Sequence, residues 1–328
     1  MKKKYYALLT ILILVLIIGS YLFIIQFQNK SNLEKIKLGE VTHSVFYAPL
    51  YVAIENDYFK EEGIDLELVL ISGADKVSAA VLSGDVHIGF AGAESAIYIY
   101  EKGEKDYLRV FSGLTKRDGQ FILSRNKNEE FSLENLYGKE ILVGRKSGMP
   151  ALNFLNALKN EGIDPSKINI NYSVDFAALS GTFIGGTGDY VNLFEPNALK
   201  LEQEEFGYVV ESIGKLSGEM PYTAFYARKS YIDKNEGIIK GFVRAINKSL
   251  KFTHDNSPEK IAQVILNQFP DTSLNDLTKL IDRYKNSDSW LPTTFISEKL
   301  LENLEDIMID NDLLDDYVPY KDLIINYD

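Results

Sequence analysis

The chain has 328 residues and no cysteine. Disulfide staples, thiolate nucleophiles, Cys-ligated zinc, iron–sulfur clusters and a lipid-modified N-terminal cysteine are thereby excluded. Histidine is scarce as well: His43, His87 and His254 lie far apart, with no H-x-x-x-H pair. A metal site would need carboxylates brought together by the fold, and none is expected. Basic residues are outnumbered, with 35 Lys and Arg against 47 Asp and Glu and a net charge of -12. A phosphate backbone is held by Lys and Arg displacing counterions, so nucleic acid is not an expected partner. GGTGD at 185–189 lacks a following GK[ST] and does not make a phosphate loop. No cofactor is expected.

Apolar residues make up 45% of the chain and charged residues 25%. That is an ordinary globular balance, and the length suits two domains. Charge is absent from one long run: after Lys2, Lys3 and Lys4, no charged residue occurs until Lys30. About 20 apolar residues cross a bilayer, whereas a cleavable signal has a core of about 7–15. The expectation is an uncleaved signal-anchor transmembrane helix over 1–30, with the three lysines favouring a cytoplasmic N-terminus and the rest extracytoplasmic. The alternative is a long signal peptide cut near Gly19 and Ser20, giving a secreted or periplasmic protein. Without residues 1–30 and their four lysines, 31 basic residues face 47 acidic ones, a net charge of -16. An anionic bilayer repels such an ectodomain, so its only membrane contact is expected through the N-terminal helix.

Beyond Lys30 the pattern is serial. IKLGEVT predicts a strand and LYVAIENDYF a short helix, and Gly63 precedes IDLELVLI, whose Ile64, Leu66, Leu68 and Leu70 share one strand face. Asp75 is the expected N-cap of the next helix, Gly84 its stop, and VHIGFAG the following strand. A helix opening at 92–95 and the strand LRVFSGL follow. Alternating strands and helices of about ten residues predict an α/β fold with a mostly parallel sheet and ligand loops at strand C-terminal ends. A turn at Asp118-Gly119 marks a crossing into a second α/β set, and MPYTAFYARKS marks the return. Apolar spacing of three and four predicts helices from about Asn235 onward. The expected division is lobe I at 36–122 plus 226–328 and lobe II at 123–225, with a ligand cleft between them.

Four loops at expected strand ends each precede a helix: 43–48, 72–75, 91–95 and 147–150. Free amide hydrogens and the helix dipole make them receptive to anions and polar groups, although small residues there also serve turns and caps. Aromatic side chains near the loops, Phe46, Tyr47 and the single Trp290 foremost, are candidates to stack on a planar ligand; core packing is the alternative. Glu94 in AGAES and Glu195 in LFEP sit among small or apolar residues, where a carboxylate wants a donor. Arg117, Arg145 and Lys146 could pair with an anion.

YAPLYVAIENDYFKEEGIDLELV and SGADKVSAAVLSGDVHIGFAG resemble the opening units of the extracytoplasmic substrate-binding proteins of ABC importers, type II periplasmic-binding fold, in the nitrate, sulfonate and thiamine-pyrimidine-precursor group. The resemblance runs from about Lys37 to Asn326. It implies a two-lobed clamp with a helical C-terminal region, a monomeric ectodomain that is not an enzyme, and partnership with a permease and its ATPase subunit. Carried onto this sequence, it implies ligand contacts at Phe46, Tyr47, Gly73, Ala74, Glu94, Ser95, Ser147 and Gly148, and also at Asp175, Glu195 and Trp290. Aromatics with carboxylates suit an aminopyrimidine-like heterocycle, whereas helix N-termini with Arg145 suit a sulfonate-like anion. The rival from another class is an exported enzyme using Glu94 or His43 as general base.

Overall fold

The computed structural model describes residues 33–127 and 130–327. The expected N-terminal membrane helix over 1–30 lies outside them, and among the described residues no helix is long and apolar enough to cross a membrane.

Two five-stranded sheets organise the chain. The first has the order β2-β1-β3-β10-β4 and the second β7-β6-β8-β5-β9. The first takes β1 (Glu34–Glu40), β2 (Ile64–Leu70), β3 (Ile88–Gly92), β4 (Leu108–Thr115) and the late strand β10 (Thr223–Arg228). The second takes β5 (Phe121–Ser124), β6 (Glu140–Leu142), β7 (Asn169–Asn171), β8 (Tyr190–Leu193) and β9 (Tyr208–Ser212). In each sheet the early pairs are parallel, as serial β-loop-α units require, and one strand runs against them: β10 between β3 and β4, and β5 between β8 and β9. The antiparallel strands are the two that follow the crossings. The expected limits at 122/123 and 225/226 fall inside β5 and β10, so that residues 121–122 and 223–225 are counted with the lobe opposite the sheet in which they pair.

The helices form where small residues end a strand. α1 (Ala48–Glu55) has Pro49 in its first turn, where no amide hydrogen is needed. It is followed by α2 (Tyr58–Glu61). α3 (Ala74–Ser83) is preceded by Gly73 at φ +115° and ends at Gly84. Asp75, the expected cap, instead sits in the first turn: a residue at φ +115° favours glycine, and this moves the helix start to Ala74. α4 (Glu94–Glu101) follows β3 directly. In the second unit α5 (Met149–Asn160) starts after Gly148 with Pro150 in the first turn, and α6 (Leu179–Ile184), α7 (Asn197–Gln203) and α8 (Ile213–Ser217) complete the cover.

The C-terminal region is helical, as expected: α9 (Lys229–Lys234), α10 (Glu236–Asp255), α11 (Pro258–Ile265), α12 (Leu274–Asn286), α13 (Glu298–Asp310) and α14 (Tyr320–Leu323). Ser257, Ser273 and Ser297 each accept a backbone N–H from the first turn of α11, α12 and α13, at 3.3, 3.1 and 3.1 Å. Each such cap is worth about 1 kcal/mol. β2 departs from expectation, because Leu70 is 57% exposed. It ends the edge strand of its sheet, where cover from the neighbouring layer runs out.

The two crossings lie side by side. Tyr222 N donates to Thr115 O at 3.1 Å, Met220 N to Lys116 O at 3.0 Å, and Ile213 N to Gln120 O at 3.1 Å. Gly214 is required here: a Cβ on it would stand 2.1 Å from the Asp118 carbonyl oxygen.

Candidate functional site

A cavity of about 250 Å³ opens between the two sheets. From the first lobe come Val41 and Thr42 after β1, Tyr47, the loop 72–76 at the start of α3, and Gly92 with Glu94 at the start of α4. From the second come 143–145 after β6, Gly148–Pro150 at the start of α5, Asp175–Ala177 after β7, and Phe194 after β8. Tyr222 and Thr223 reach it from the second crossing. The site thus gathers strand C-terminal ends and the N-termini of α3, α4 and α5, the place where such sheets present free amides.

Of the residues expected from sequence, Tyr47, Gly73, Ala74, Glu94, Gly148 and Asp175 line this cavity. Phe46, Ser95, Ser147, Glu195 and Trp290 do not. Phe46 is fully buried and packs on Tyr47, Phe194, Tyr222 and Tyr284. Trp290 is 2% exposed, and its indole N–H donates to the Phe46 carbonyl at 2.8 Å, so its polar edge is consumed by the core. Ser147 turns its carbonyl to the Tyr98 hydroxyl at 3.1 Å, and Ser95 neighbours the buried Tyr226. Glu195 is 1% exposed and committed elsewhere: Arg283 Nη1 lies 2.5 Å from its Oε1, and Leu199 N donates to its Oε2 at 2.8 Å. A loop acid flanked by apolar residues looks the same in sequence whether its donor is a ligand or a distant arginine.

Thr42, Lys76, Met149, Phe176, Phe194, Tyr222 and Thr223 line the cavity as well. Phe176 and Phe194 face one another edge to face at 5.7 Å between centroids. In sequence, Tyr222 is part of the MPYTAFYARKS stretch that marks the return. Its place in the site comes from the return crossing, which no local pattern encodes.

Glu94 is the chemical centre of the cavity wall. It is 2% exposed, and its Oε2 is buried without a hydrogen-bond partner. Burial pushes its carboxyl up to about 7, against the pull of its own amide, Arg145, and the Met149 and Ser95 amides. Met149 belongs to the opposite lobe, so groups of both lobes act on the acid. Arg145 is half exposed and reaches across the mouth to Asp75 at 3.4 Å. Tyr47 and Tyr222 are buried phenols pushed far above their ordinary range, by burial first. His43, considered as a general base, lies outside the lining, between Glu40 at 2.8 Å and the Gln268 carbonyl at 2.9 Å. Among the described residues no group of three or more His, Asp or Glu is placed to hold a metal ion.

Comparison with known proteins places these observations. Residues 45–261 match the family described as "NMT1/THI5 like". A Bacillus subtilis (strain 168) protein, "Putative binding protein YtlA", is 39% identical over 298 residues, covering 90% of this chain and 89% of its own. Among solved structures, the alkanesulfonate-binding protein SsuA from Xanthomonas axonopodis pv. citri, bound to MOPS, superposes with a TM-score of 0.70 at 14% identity, covering 89% of this chain and 98% of that one. The periplasmic nitrate-binding protein NrtA from Synechocystis PCC 6803 does so with a TM-score of 0.62 at 18% identity, covering 77% and 70%. At such identities the likeness is one of fold: the two-lobed α/β architecture of periplasmic binding proteins.

Proposed function

Because the chain belongs to the NMT1/THI5-like family, we propose that it is an extracytoplasmic solute-binding receptor of an ABC importer, closing its two lobes on a small nitrogen heterocycle that carries an amino group. The observation that carries this reading is Glu94: a buried carboxyl at the wall between the lobes, one oxygen unpartnered, in a cavity edged by Tyr47, Phe176, Phe194 and Tyr222. A buried acceptor without a donor costs about 1–3 kcal/mol, and a ligand amino group that satisfies it recovers that cost only in the closed, occupied state. The rings offer faces to a planar solute. Closure then follows as a population shift, since only the closed form gives the ligand contacts from both lobes.

The second reading is a sulfonate-like anion, favoured by the three converging helix N-termini and by Arg145. One feature weighs against it: Glu94, once ionised, repels an anion by about 4 kcal/mol at 4 Å for an effective dielectric constant of 20. In this proposal the solute passes to a permease powered by a separate ATPase, and a membrane tether on the N-terminal side would keep the receptor beside it.

Thermal unfolding of the chain against aminopyrimidines, nucleobases, alkanesulfonates and nitrate tests the reading. A ligand at 100 times its dissociation constant adds about 2.7 kcal/mol. Stabilisation by an aminopyrimidine, with the compound recovered unaltered, supports a receptor for that class. Stabilisation by sulfonates alone moves the assignment to the anion, and turnover of the compound moves it to an enzyme.

A further inference from the structure

Asp118 stands in the first crossing and Tyr222 in the second; stacking on the Tyr222 ring leaves its hydroxyl, and the acid, without a role. Asp118 is 1% exposed. Its Oδ1 accepts the Gln120 N–H at 2.6 Å, closing the turn that starts β5. Its Oδ2 is buried with no closed hydrogen bond, and the Tyr222 hydroxyl that the carboxyl faces has none either. The ionisable groups around the acid are Tyr47, Tyr222 and Tyr284, all phenols. Its neighbour Arg117 turns away to Glu219, at 2.9 Å. A carboxylate buried without a cation is costly, and such a group keeps its proton; here burial pushes Asp118 up to about 8.

We propose that Asp118, carrying its proton on Oδ2, is a positioning residue for Tyr222, and that it sets the inner end of the cavity to select a solute presenting a hydrogen-bond acceptor there. With Oδ1 filled by the Gln120 amide, the neutral acid has one proton to give, and the Tyr222 oxygen is the acceptor it faces. A phenol oxygen that accepts from Asp118 has its own O–H left to donate, and Tyr222 lines the cavity. Glu94 accepts and Tyr222 donates, so the wall offers a complementary pair. A ring nitrogen beside an amino group carries the matching pair, which a nitrate or an all-carbon ring does not. This selection rests on the heterocycle reading of the cavity; the Asp118–Tyr222 arrangement itself does not.

The experiment therefore has two arms on the full-length chain. In the first, 13C-NMR follows the Asp118 carboxyl with pH in the wild type and in Tyr222→Phe. A neutral carboxyl at pH 6.5, whose titration moves when the phenol oxygen is removed, is expected. An ionised carboxyl at that pH, or a titration indifferent to Tyr222→Phe, overturns the proposal whatever the ligand. In the second, calorimetry measures 4-amino-2-methylpyrimidine against 3-methylaniline, its counterpart without ring nitrogens. Asp118→Asn, whose amide copies the neutral acid, keeps the pyrimidine affinity within about threefold, and Tyr222→Phe loses about tenfold or more, as for one lost hydrogen bond. Aniline binding does not respond to Tyr222→Phe. Equal pyrimidine binding by wild type and Tyr222→Phe overturns the selection. If the wild type binds neither compound, the heterocycle reading and the selection fall together, and the first arm decides the arrangement.

Discussion

Arg283 on α12 closes on Glu195, which follows β8 in the other lobe, with Nη1 2.5 Å from Oε1, and extends Nη2 to Glu202 at 2.9 Å. The same short stretch is held twice more. Ser44 Oγ donates to the Glu195 carbonyl at 2.5 Å, and Glu195 N donates to the Tyr284 hydroxyl, which itself donates to Gly119 O at 3.1 Å. Arg283 thus ties the C-terminal helices to the second lobe at a buried charge. Breaking a buried pair from one side leaves the other charge uncompensated, at a cost of about 3–5 kcal/mol. Arg283→Met is expected to lower the unfolding free energy in urea titrations by that order, and adding Glu195→Gln to recover much of it. Equal loss in the single and double variants would mean that the arginine acts through packing alone.

Glu94 gives the second prediction. Glu94→Gln removes the buried charge, keeps the shape, and puts a donor where the ligand is expected to donate. Affinity for an aminopyrimidine is expected to fall by about 2 kcal/mol, roughly thirtyfold, as for a hydrogen bond to a charged group. Stability at pH 8 should not fall. An unchanged dissociation constant in calorimetry would remove Glu94 from the site.

The same groups set the pH response. Glu94 and Asp118 are both held above their ordinary values, at about 7 and about 8, by burial. A raised folded-state carboxyl stabilises the fold while it is protonated. That contribution is whole below about pH 4 and is lost as pH rises through 7 and 8. Against ordinary values of 4.5 and 3.8, the loss is at most about 3 kcal/mol for Glu94 and about 6 kcal/mol for Asp118. The wild type is therefore expected to be less stable at pH 9 than at pH 6 in urea titrations. Glu94→Gln combined with Asp118→Asn should flatten that slope, whereas a slope unaltered by both would place its origin elsewhere, for example at Glu305, also raised to about 7.

These sites show what the sequence carried and what it did not. Strand and helix order was legible because glycine and proline punctuate it: Gly63, Gly84 and Gly103 at φ between +70° and +87°, and Pro49, Pro150 and Pro258 in first turns. Glu94 was legible because an acid among Ala, Gly and Ser at a helix start has no local partner. Glu195 has the same signature, but its partner Arg283 comes from 88 residues away. Phe46 and Trp290 misled for the same reason. Their polar loop setting is real, yet the indole donates to the Phe46 carbonyl and both rings fill the layer beneath the cavity. Tyr222 carries no local signature of a site residue, because only the pairing of the two crossings brings it to the cleft.

The crossings themselves give the fourth prediction. A Cβ at position 214 would stand 2.1 Å from the Asp118 carbonyl oxygen, a backbone atom that cannot swing aside. Gly214→Ala is expected to push the two segments apart, strain the bonds between them and destabilise the protein by about 1–3 kcal/mol. Hydrogen exchange should locate the damage, with faster exchange at the Ile213 and Tyr222 amides than in β1 or β3. Uniform acceleration across the chain would mean global destabilisation only.

Arg145 separates the two ligand readings. Its pair with Asp75 spans the cavity mouth at 3.4 Å, with both side chains about half exposed, and such pairs contribute only about 0–1 kcal/mol. Arg145→Ala is therefore expected to leave the unfolding midpoint nearly unchanged, which makes it a clean probe of the ligand. If the solute is a heterocycle read by Glu94, losing this cation alters affinity little; removing a charge that draws Glu94 toward ionisation lowers its acceptor strength only slightly. If the solute is a sulfonate, Arg145 is a lining cation whose charge is felt at Glu94, and its loss takes a charged partner from the anion, a cost of about 1.5–3 kcal/mol. A dissociation constant that rises more than tenfold in Arg145→Ala, and falls in Glu94→Gln, would show that the cavity takes anions and that the orphaned acid is a selectivity barrier rather than a contact.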